Sequence, residues 1–127
     1  MTTGLAATTL ANNWLNMLRA VAFTAPAGTF VKLHTADPGV AGATAPSAVT
    51  TRNSAVFNAA SAGALSLSTL GAYTMTASET ITHISVWDAA TVGNFLFSGA
   101  LTTPKAVVNT DTLTFTSLAV SLAPIAA

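Results

Sequence analysis

The sequence predicts a mainly β protein: a single antiparallel β-sandwich, jelly-roll or Ig-like, preceded by one amphipathic helix. Three observations predict it. Only residues 8–23 carry a helical period. After Gly28 the apolar residues recur in short runs of period two, broken by turn residues. And 127 residues without a cysteine are enough for one core that needs no disulfide staples.

The helix comes first. Leu10, Trp14, Met17, Leu18 and Val21 fall at i, i+4, i+7, i+8 and i+11, which is one stripe. Asn12, Asn13, Asn16 and Arg19 cover the other side. Thr8 or Thr9 is placed to cap the start, and Pro26 and Gly28 to end it. This assigns residues 1–28 to a helix and linker and 29–127 to the sandwich.

"TFVKLHTA" reads as a strand, with Val31, Leu33 and Thr35 on one face and Phe30, Lys32 and His34 on the other. Asp37-Pro38-Gly39 stops it. Asp accepts from backbone two residues on, Pro presets φ, and Gly tolerates positive φ. Residues 39–51 have small side chains and no period, so an exposed or partner-ordered loop is expected. Further strands are predicted at 52–57, 65–68, 70–77, 80–88, 94–101 and 111–122. In "ITHISVWD", Ile81, His83, Ser85 and Trp87 share one face and Thr82, Ile84 and Val86 the other. Loop 89–93 joins this strand to the next as a hairpin. In the last segment Leu113 and Phe115 are odd while Leu118, Val120 and Leu122 are even. A bulge or bend near Ser117 would keep both sets inward.

Charge is the anomaly. Arg19, Lys32, Arg52 and Lys105 balance Asp37, Glu79, Asp88 and Asp111, so charged residues are 6% of the chain and the net charge is zero. Ordinary domains carry about 25%. Alanine and threonine, 27 and 22 residues, fill the surface instead. Such a surface has little repulsion to keep molecules apart, which points to a homo-oligomer or a lattice subunit. Four scattered cations do not make a phosphate-binding patch, so no nucleic-acid partner is expected. No apolar run reaches bilayer length. The N-terminus lacks the charged and apolar regions of a secretory signal, which predicts synthesis in the cytosol.

Little in the chain suits chemistry. His34 and Asp37 are spaced as a ligand pair, but no third group stands near them, and metal or catalytic sites need several to converge. They read as a sheet-surface histidine and a turn aspartate. His83, Trp87 and Asp88 share a strand end, where a ring or sugar would fit. The plainer assignment is a half-buried strand with Asp88 in an Asx turn. Trp87 or Tyr73 would be the stacking platform of a carbohydrate-binding module, the rival from another class. Four acids, no GxSxG and no Walker loop speak against a hydrolase or nucleotide enzyme. Neither catalytic residues, metal nor cofactor is expected. The interface candidates are Leu10, Trp14, Met17 and Leu18 on the helix and Val40, Ala43 and Val49 in the loop.

Several stretches together carry a resemblance: "WLNMLRAVAFTAPA", "VKLHTADPG", a lone "TR" at residues 51–52, and "ETITHISVWDAATVGNFLFSGALTTPKAVVNTDTLTF". About residues 10–122 resemble small virion proteins of tailed phages infecting actinobacteria, usually labelled tail fibre or minor structural proteins. The resemblance implies a virion component and carries no catalytic residues. It fits a capsid decoration protein, trimeric and seated on the major capsid protein lattice, with a tail fibre or minor tail protein as the alternative. No repeats of a long fibre shaft are present.

Overall fold

The computed structural model describes residues 3–123 and Ala126. Eight strands follow a short helical segment: β1 (Phe30–His34), β2 (Asn53–Phe57), β3 (Ala64–Leu70), β4 (Tyr73–Thr74), β5 (Glu79–Trp87), β6 (Phe95–Val107), β7 (Thr112–Leu113) and β8 (Ala119–Ser121). Six form one sheet in the order β6-β5-β1-β2-β3-β8, and β4 pairs with β7 in a small second sheet. Every pairing is antiparallel. The large sheet curls until its edge strands β6 and β8 line opposite sides of one cleft of about 550 Å³. The predicted mainly β, antiparallel class is the one observed.

The core forms where the two sheets face each other. Val31 and Leu33 of β1, Ile81, Ile84 and Val86 of β5, and Val107 of β6 meet Tyr73, Met75 and Leu113 from the small sheet's side. Tyr73 carries a polar atom into this core and satisfies it, its hydroxyl donating to the Val31 carbonyl at 2.6 Å.

Strand parity departs from the simple alternation in β5. Ile81 pairs with Lys105 but His83 pairs with Ala100, so residues 101–104 of β6 stand opposite Thr82 alone. This bulge resets the pleat. Ile81 therefore joins Ile84 and Val86 in the core instead of sharing a face with His83. The same bulge, which takes in Pro104, hides the continuation of β6 to Val107 beyond the predicted end at residue 101.

The segment predicted as one strand over 111–122 divides at a bend at Thr116. Its odd part goes to the small sheet as β7 and its even part to the large sheet as β8. The predicted strand 70–77 shortens to Tyr73–Thr74.

The predicted helix is broken into a π turn (Ala7–Ala11), an α turn (Asn12–Asn16, α1) and a 3₁₀ turn (Met17–Arg19). Neither Thr8 nor Thr9 caps it; the N-cap is Ala6, with no side-chain bond. Thr9 donates instead to the Phe95 carbonyl of β6. The segment ends at Ala20 in the left-handed region, φ 60°, before Pro26 is reached. The chain just ahead of it lies along β6 as an added strand. Ala6 N donates to Leu96 O at 2.7 Å and Ser98 N to Gly4 O at 2.9 Å.

Candidate functional site

The stretches that look most specific in sequence meet in space at the β1–β5 end of the large sheet. His34 is not a surface histidine, as expected from strand alternation, but is fully buried. The reason is the loop after β1. Residues 45–47 run back beside 33–35, with Thr35 N donating to Ala45 O and Ser47 N to Leu33 O, both at 3.0 Å. Residues 45–47 pair along the edge of β1, and the Thr44 carbonyl just ahead of them reaches the His34 ring. The loop is thus ordered by its own chain and not left for a partner.

The His34 ring bridges the cover and the sheet. Nδ1 lies 2.7 Å from the Thr44 carbonyl, and Nε2 lies 2.7 Å from Ser85 Oγ. A carbonyl only accepts, so Nδ1 carries the hydrogen and Nε2 accepts from the serine hydroxyl. Ser85 Oγ in turn accepts from Trp87 Nε1 at 2.8 Å. The chain of bonds fixes the neutral tautomer. Burial lowers the His34 pKa; the Thr44 and Ala45 carbonyls oppose this, and Lys32 and His83 add to it.

Beyond the ring, Trp87 is half-buried under a cation. The Arg52 guanidinium carbon stands 3.9 Å from the Trp87 ring centroid. One Arg52 nitrogen donates to the Ala89 and Val92 carbonyls at 3.1 and 2.6 Å, which ties the β5–β6 hairpin loop to β2. Asp88 closes that loop, but not through the expected Asx turn to backbone two residues on: it accepts from Asn94 N, six residues on, at 2.6 Å and from the Asn94 side chain at 2.8 Å. Asp37 makes its predicted Asx turn, accepting from Gly39 N at 2.8 Å.

A serine hydroxyl on an imidazole is the geometry of an activated nucleophile. Here Ser85 and His34 are both closed off from solvent, and the serine oxygen is already shared with Trp87. The group joins a loop, a strand and a hairpin. Sequence reasoning missed it because Ser85 has no local signature, and the pairing of β1 with β5 brings it there across 51 residues.

The other candidates separate. Tyr73 is buried, so it offers no face to a sugar, and the Trp87 face carries Arg52. Val49 belongs to the core and not to an interface. Val40 and Ala43 are exposed on the loop. Among the described residues, no three or more of His, Cys, Asp and Glu come together, and no helix is long and apolar enough to cross a membrane.

The helix stripe divides. Leu10 is buried and Trp14 half-buried, while Met17 and Leu18 are 51% and 87% exposed. The π turn, with Ala11 N donating to Ala6 O at 2.9 Å, shifts the phase of the turns after it. Leu15, outside the predicted stripe, then stands with Met17 and Leu18 on the open side. These residues border an apolar groove against β3 and β8.

No protein among the curated ones compared matches this chain. A family model does: that of the podophage GP4 fiber I protein gp80, over residues 5–123. The match spans the added strand, the helical turns, the buried histidine cluster and both sheets. The chain therefore belongs to the podophage GP4 fiber I protein gp80 family, a family of phage virion structural proteins.

Proposed function

We propose that this protein is a non-enzymatic structural subunit of the phage particle that acts as a homo-oligomer within a tail fibre. The observation that carries this reading is the family match across nearly the whole chain. The charge distribution supports it. Eight formal charges on 127 residues leave a surface that desolvates at little cost, as a subunit packed against neighbours requires. The closed Ser85–His34 pair supports a structural role for this serine–histidine contact. A trimer fits the closed symmetry by which subunits hide sheet edges such as β8.

Capsid decoration is the second reading. A curled sheet with its own core and no shaft-like repeat suits a cement subunit seated on the major capsid protein lattice. An actinobacterial host, implied by the sequence resemblance, belongs to the same proposal. Imaging particles with and without this gene, together with gel densitometry of purified virions, tests both readings. Density lost at the tail, with few copies per particle, supports the fibre. Density lost over the whole head, with many copies, supports decoration and removes the fibre reading. A particle that contains none of this protein removes both.

A further inference from the structure

The helical turns of residues 7–19 lie across one end of the curled sheet. Between them and the β3–β8 pair runs a groove of about 620 Å³. Leu5, Trp14, Leu15 and Leu18 form one wall, and Leu65 and Leu122 belong to the other; every lining residue is apolar. The side chains are not tucked in. Leu15 is 64% exposed, Leu18 87% and Leu122 53%. Among the described residues, half of the large hydrophobics left exposed line this one groove. Scattered exposed leucines need no explanation, but a contiguous set beside a cavity marks a contact surface.

We propose that this groove is the contact between copies of this chain, with Leu15 and Leu18 of one copy seated in the groove of the next. The proposal rests on the reading of the protein as a self-associating virion subunit and assigns the surface through which it associates. Three observations point to a second copy as the occupant. The first is area. A folded monomer of 12.7 kDa has an accessible surface of about 6,200 Å² by the scaling for monomeric proteins, whereas this chain exposes 7379 Å². The excess, about 1,100 Å², is spread over the whole chain, and the exposed leucines of the groove contribute to it. The second is chemistry. The lining carries no charged side chain, and the Trp14 indole N–H is its one side-chain hydrogen-bond donor, so its occupant presents chiefly apolar side chains. The third is that this chain presents them itself. Leu15 and Leu18 project from the helical turns that wall the groove, so protrusion and recess adjoin on one face, as a surface that contacts its own copy requires.

Sedimentation velocity of the full purified chain over a wide concentration range tests this. The expected result is a concentration-dependent oligomer whose dissociation constant rises about tenfold or more in the double variant Leu15→Glu, Leu18→Glu. A control, Val92→Glu with Val108→Glu, changes two residues that are exposed away from the groove and should leave association unchanged. Leu122→Glu, on the opposite wall, should weaken association as the helix variants do, and circular dichroism melts should confirm that each variant is folded. A wild-type chain that stays monomeric, or groove variants that associate like the wild type, would overturn the proposal. Incorporation into particles separates the two levels. A monomeric chain that still enters virions, and loses entry when the groove is charged, makes the occupant another virion protein and leaves the virion reading standing. A chain absent from virions removes that reading whatever the sedimentation shows.

Discussion

The β1–β5 end of this molecule and its helical end solve opposite problems with similar residues. At the β1–β5 end a histidine, a serine, a tryptophan, an arginine and an aspartate are joined by hydrogen bonds and a stacked cation, and the loop after β1 closes over them. At the helical end, leucines and a methionine stand open to water beside a groove that nothing among the described residues fills. At the first end polar groups are satisfied inside; at the second, apolar groups are left outside. The first end is finished by its own fold, since burying those polar groups is tolerable only when each has a partner. The second is unfinished, and its leucines gain only when another surface covers them.

Substitutions can break this contrast, beginning with the core below the finished end. Leu33→Ala removes a fully buried side chain and should cost about 3 kcal/mol in urea unfolding. Ser85→Ala comes next. It deprives both His34 Nε2 and Trp87 Nε1 of their partner, and leaving buried polar groups unpaired should cost about 2 kcal/mol. His34→Ala should cost about as much, far more than a surface histidine would, and equal stability of the variant and the wild type would refute the buried network.

Gly42 tests the loop that closes the finished end. Its φ is +69°, and a Cβ there would meet the Phe95 ring. Gly42→Ala should therefore destabilise by about 1–2 kcal/mol, read from the thermal midpoint, whereas Gly99→Ala, which meets nothing nearby, should cost less.

Acid tests the same network more gently. Burial holds the His34 pKa below its ordinary value of about 6.5, so below that pH the unfolded chain binds more protons than the folded one. Stability should be full above the ordinary value and fall as pH drops through it toward the folded-state pKa. His34→Gln should flatten this part of the profile; an unchanged slope would show that other groups produce it. The smallest effect belongs to the unfinished end. Leu18→Ala touches a side chain 87% exposed and should change folding stability by less than about 0.5 kcal/mol, while weakening self-association measured by light scattering.

By itself the sequence determined what depends on near neighbours. The mainly β class, the β1 strand, the Asp37 turn, the β5–β6 hairpin and the break between Leu113 and Leu118 all come from side-chain alternation and turn chemistry within a few residues. The charge deficit was equally plain there, as was the resemblance to phage virion proteins. Tertiary structure decided what depends on distant pairing. Alternation places His34 on the second face of β1, but only the returning loop brings the Thr44 carbonyl to its ring, and only β5 brings Ser85 to it. The bulge in β6 set the parity of Ile81, since a register shift is a property of two strands and not of one. The π turn rotated the helix stripe and brought Leu15 to the open side because the start of the segment is pinned to β6 by hydrogen bonds, against the period its own residues favour.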